Sequence, residues 1–134
     1  MQSSGIHHVG VAVADLDEAV DSYSRLFGAE LECRETVVDQ GIEAAVMLVG
    51  TSRIELMASL DADTPVGRFL ERRGPGMHHL AFEVDDVAEE LERLAAGGAE
   101  LIDDRPRPGM FGHEIAFVHP SATGGVLTEL VARG

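Results

Sequence analysis

Residues 5–19 read GIHHVGVAVADLDEA, and residues 76–90 read GMHHLAFEVDDVAEE. Each stretch has a paired histidine, an alternating apolar run, and an aspartate opening a second run of helical spacing. Alternation marks a half-buried strand, and the aspartate marks a helix N-cap. Sliding the chain along itself by 71 positions sets Ile6-His7-His8-Val9 on Met77-His78-His79-Leu80, and Asp15-Leu16 on Asp86-Val87. One residue of slippage later, Gly28-Ala29-Glu30-Leu31 meets Gly98-Ala99-Glu100-Leu101. Near the end of each half, RIELMA (53–58) answers VLTELVA (126–132), with Glu55 opposite Glu129. The chain is therefore read as one domain, 1–134, built from two modules of about 5–74 and 75–134.

Each module reads as βαβββ, an α+β class. In the first, IHHVGVAV is a strand, and the helix opening at Asp15 carries Leu16, Ala19, Val20, Tyr23, Leu26 and Phe27 on its apolar side before stopping at Gly28. AELECRETVV, IEAAVMLVG and SRIELMAS follow as strands, separated by Asp39-Gln40-Gly41 and Gly50-Thr51-Ser52. In the second, MHHLAFEV, VAEELERLAAGG, AELIDD, HEIAFVHP and GVLTELVA repeat the order. A short helix from Thr64 to about Arg72, ended by Gly74-Pro75-Gly76, joins the modules.

Strand parity assigns the histidines. Val9, Val11 and Val13 take one face, as do Leu80, Phe82 and Val84, and these large apolar sets suit each module's helix. His8 and His79 therefore point away from the helices, with small Gly10, Ala12 and Ala81 beside them, so an open concavity is expected there. If the modules pair about a pseudo-twofold axis, one histidine and one glutamate from each meet: His8, Glu55, His79 and Glu129. A single buried histidine or mid-strand glutamate is ordinarily a satisfied polar residue. Four of them at repeat-related positions form a ligand set whose mixed nitrogen and oxygen character suits Co, Mn, Ni, Zn or Fe better than Ca.

Charge narrows the partners. The formal net charge is −14, from 24 acidic and 10 basic residues, and every basic residue is arginine. Nucleic acid and anionic membrane surfaces both demand a cationic face, so neither is expected as a partner. No apolar run approaches the ~20 residues of a membrane span, and MQSSGIHH lacks the features of a signal peptide, so a cytoplasmic protein is expected. The single cysteine, Cys33, flanked by Glu32 and Arg34, reads as a strand residue without a redox role.

With HHVGVAV and MHHLAFEV in a duplicated βαβββ frame, the chain resembles the vicinal oxygen chelate superfamily, which includes glyoxalase I, extradiol dioxygenases and antibiotic-resistance proteins. Three long segments are similar to the methylmalonyl-CoA epimerase family: HHVGVAVADLDEAVDSYSRLFGAEL, IELMASLDADTPVGRFLERRGPGMHHLAFEVDD and FVHPSATGGVLTELV. PVGRFLERRGPGMHH and HPSATGGVLTEL are the specific parts. The resemblance implies a cupped mixed sheet holding one divalent metal ion per chain through His8, Glu55, His79 and Glu129, in a homodimer acting on an acyl-CoA.

It also implies interconversion of the 2R and 2S epimers of methylmalonyl-CoA through a metal-stabilised enolate. A second glutamate on the third module strand would be an acid/base. Glu43 fills that role if the strand shifts or bulges by one residue, because some relatives align their glutamate at the position of Ala44. Glu129 is the other acid/base candidate. Other readings stay open: a glyoxalase I-like or other metalloenzyme of the superfamily, or a metal-free protein that sequesters a ligand. His113 and His119 have no assigned role, and His119-Pro120 reads as a strand exit.

Overall fold

The computed structural model describes residues 3–132. Its elements are β1 (Ser3–Ala12), α1 (Leu16–Phe27), β2 (Glu30–Val37), β3 (Ile42–Val49), β4 (Ser52–Ser59), α2 (Pro65–Arg73), β5 (Gly76–Val84), α3 (Val87–Ala96), β6 (Arg107–Pro108), β7 (Glu114–Val118) and β8 (Thr128–Ala132). They fall into two units. One spans His8–His78, and the other takes His79 onward together with the start of β1, up to His7. Among the described residues, no helix is long and apolar enough to cross a membrane.

In the first unit the strands run β2-β3-β4-β1. β1 lies parallel to β4, while β3 is antiparallel to both β2 and β4. α1 starts where expected because the Asp15 carboxylate accepts from the Glu18 N–H at 3.0 Å, satisfying an otherwise orphaned donor. It ends at Gly28, whose φ of 68° is left-handed and therefore favours glycine. Leu16, Ala19, Val20 and Tyr23 pack on Val11, Val13, Ala45, Met47 and Leu56. Leu26 and Phe27, expected on the same apolar side, are exposed.

α2 is N-capped by Thr64, whose hydroxyl accepts from the Gly67 N–H at 2.9 Å. Gly67 itself is pressed against backbone: a Cβ there would stand 2.6 Å from the Asp61 carbonyl oxygen and 2.7 Å from that of Ala62.

In the second unit the order is β5-β8-β7-β6, with β5 parallel to β8 and the other pairs antiparallel. α3 is N-capped by Asp86, and its Val87, Leu91 and Leu94 pack with Val84, Ala116, Val118 and Leu130. One expected strand is missing. AELIDD makes only a single bridge, Leu101 to Val118, and the ladder gives way at Asp103, whose carboxylate accepts from the Phe117 N–H at 2.8 Å. Pro106 and Pro108 then limit further pairing to the two residues of β6. His119 is the expected exit from β7, its Nδ1 accepting from the Ser121 N–H at 3.0 Å.

Candidate active site

The parallel pairs set the site residues. In β1 and β4, Gly10 is registered with Glu55, and in β5 and β8, Ala81 is registered with Glu129. Gly10 lies two residues beyond His8, and Ala81 two beyond His79, so each histidine stands at the same offset from its glutamate. His8 Nε2 is 3.7 Å from Glu55 Oε2, and His79 Nε2 is 3.0 Å from Glu129 Oε1. All four residues are buried, at 4–8 % exposure. His8, His79 and Glu129 are thus imidazole and carboxylate donors chemically able to ligate a metal ion.

The rest of the first unit's site face follows from register. Glu55 is paired with Val46, Val46 with Cys33, Met57 with Ala44, and Ala44 with Glu35. His8, Glu55, Cys33 and Glu35 therefore share the face turned away from α1. Cys33 reports the acidic character of that face. Burial pushes its thiol above the usual range, partly offset by a backbone hydrogen bond with Val46, and Glu32, Glu35 and Glu55 push it up further. A raised pKa disfavours the thiolate, in keeping with a strand residue and not a nucleophile.

Glu43 does not join them. β3 runs in unbroken register with β4 from Ile42 to Val49, so the shift that would turn Glu43 to the site face is absent. Glu43 shares the α1 side with Ala45 and Met47, where the Arg34 guanidinium bonds it at 3.3 Å and also pairs with Asp17 of α1. Both carboxylates hold Arg34 more firmly protonated. The β2–β3 pair does shift register, between Leu31 and Cys33, leaving Glu32 as the extra residue of β2. On the site face, β3 offers Ile42, Ala44 and Val46, none of them acidic.

The second unit's face is less open than its small residues promised. Ala81, Ile115, Phe117 and Val131 form an apolar cluster there. Phe117, registered with Glu129, sets its ring edge-on to His79 at 5.6 Å, and Arg107 Cζ lies 5.4 Å from the centroid of the same Phe117 ring. Phe117 and Glu35 are the neighbours that sequence reasoning passed over. Counting back from the Asp39–Gly41 turn would have paired Glu35 with Ala44, and the match of RIELMA with VLTELVA fixes Glu129 but not the residue across from it.

Comparison with known proteins places this geometry. Residues 7–117 match the Glyoxalase/Bleomycin resistance protein/Dioxygenase superfamily. The methylmalonyl-CoA epimerase from Mycobacterium tuberculosis is 40% identical in sequence and superposes with a TM-score of 0.95 over 98% of this chain and 89% of that one. A substituted Streptomyces coelicolor methylmalonyl-CoA epimerase, in complex with 2-nitronate-propionyl-CoA, is 34% identical, with a TM-score of 0.95 over 99% of each chain. The ethylmalonyl-CoA/methylmalonyl-CoA epimerase of Cereibacter sphaeroides is 32% identical over 93% of this chain and 95% of its own length. With its duplicated βαβββ modules and an α+β vicinal oxygen chelate fold, the chain belongs to the methylmalonyl-CoA epimerase family, a family of isomerases within the glyoxalase/bleomycin resistance protein/dioxygenase superfamily.

Proposed function

We propose that this chain is a metal-dependent epimerase that interconverts the 2R and 2S epimers of methylmalonyl-CoA. The observation that carries the reading is the pair of buried His–Glu couples, His8–Glu55 and His79–Glu129, at matching register in the two modules. In this reading the four side chains hold one divalent ion per chain, drawn from Co, Mn, Ni, Zn and Fe, and the two modules act as a single domain. The donor set fits such an ion: two neutral imidazoles and two carboxylates, all buried, leave negative charge that a bound cation would offset. When bound, the ion supplies positive charge that lowers the cost of negative charge developing on a thioester oxygen.

The reaction breaks the C–H bond α to the thioester, and its electron pair moves toward the carbonyl oxygen to give a planar enolate. A proton returned to the opposite face inverts the centre. Each transfer needs an acid/base, and Glu129 serves one of them. Phe117, edge-on to His79, keeps that imidazole aimed beside Glu129 and excludes water from its flank. The proposal extends to a cytoplasmic homodimer using free acyl-CoA, with ethylmalonyl-CoA as a second substrate to be tried. The formal net charge of −14 argues against nucleic acid or an anionic membrane as a partner.

Incubating metal-loaded protein with a single methylmalonyl-CoA epimer in deuterated water tests the reading. Inversion accompanied by one α-deuterium is expected. Unchanged configuration with no label would refute it.

A further inference from the structure

Epimerisation through an enolate needs two proton carriers, because a single fixed carboxylate returns the proton to the face it came from. Only one has been named. Glu43 is turned to α1 and engaged by Arg34, and β3 places no acid on the site face. On that face of the first unit, apart from the ligand Glu55, β2 supplies a carboxylate: Glu35, half-buried, directly across the ladder from Ala44. Directly opposed residues of an antiparallel pair hold their Cβ atoms about 5 Å apart, and alanine ends at its Cβ. A glutamate side chain is long enough to span that gap. Val37, next on the same face of β2, is buried and walls the far side.

In the second unit, Glu83 shares a face with His79 and Ala81, on the strand adjoining that of Glu129.

We propose that Glu35 is the second catalytic acid/base, exchanging a proton with the α-carbon over the small side chain of Ala44. The assignment rests on the epimerase reading above. In one direction the Glu35 carboxylate takes the α-proton as the C–H bond breaks, and a second proton carrier forms the new C–H bond on the other face. In the reverse direction the roles exchange. Charge is conserved at each transfer, and the carboxyl groups reset by exchange with solvent.

The test is Glu35→Gln in the full-length, metal-loaded protein, with each epimer supplied separately in deuterated water. Inversion should fall by about 100-fold or more, within the range a positioned acid/base contributes. One epimer should still take up deuterium with retention of configuration, through the remaining carboxylate, and metal content should not change. Adding Ala44→Glu to the Glu35→Gln protein should restore inversion at least about tenfold, because it puts a carboxylate across the same gap.

Inversion within about threefold of wild type overturns the assignment. So does an equal loss of exchange and inversion from both epimers, the mark of a structural role. If Glu35→Gln folds poorly, Glu35→Asp decides: partial inversion with preserved exchange supports the assignment, and wild-type inversion refutes it. A wild-type protein that inverts neither epimer defeats the epimerase reading and this assignment together, whereas an active wild type with an equally active Glu35→Gln defeats this assignment alone.

Discussion

A one-residue difference in strand position separates a carboxylate aimed at the site from one aimed at a helix. Glu43 and Ala44 are neighbours, yet β3 turns Glu43 to Arg34 and Ala44 to Glu35. Glu43→Gln should therefore leave epimerisation within about threefold of wild type while loosening the Asp17–Arg34–Glu43 contact. The contact is exposed and screened by solvent, so the loss should be small, and chemical denaturation would read it. Replacing His8 or His79 with alanine should instead lower the metal content, measured by elemental analysis of freshly purified protein. Cys33 offers a pH readout. Its thiol pKa is raised, so at any pH near 8 less thiolate is present than in a free cysteine, and alkylation by iodoacetamide should be slower until the protein is unfolded. The orientation of His8 was legible because Val11 and Val13 leave no other face for α1. That of Glu43 was not, since IEAAVML is apolar on both sides and alternation has nothing to choose between.

Element boundaries followed the caps. Asp15, Thr64 and Asp86 each accept from an N–H three residues on, and all three helices start just after them. Asp15→Ala should cost about 1 kcal/mol of stability, seen as a lower urea midpoint. Gly67→Ala should cost more, about 1–3 kcal/mol, because the added methyl meets two backbone carbonyls that can move only if the start of α2 moves. What sequence missed at this scale was the loss of the AELIDD strand, where a side-chain acceptor, Asp103, takes a backbone donor before the ladder can. It also missed the β2 bulge, since an extra residue in a strand changes neither composition nor turn signals. Glu32, the inserted residue, is held by Arg53 at 3.0 Å, and residues on either side of it keep partners as if it were not there.

For the whole molecule, a formal charge of −14 concentrates repulsion on a small surface. Raising the salt concentration from low to physiological should raise the melting temperature by screening it, and scanning calorimetry at matched pH would record the trend. The repeat made the two-module frame readable end to end, but where the structure divides was hidden in one strand. β1 changes allegiance between His7 and His8, its opening residues belonging with the later half of the chain. A gene cut at the midpoint of the repeat would thus leave the second fragment without a piece of its own compact unit.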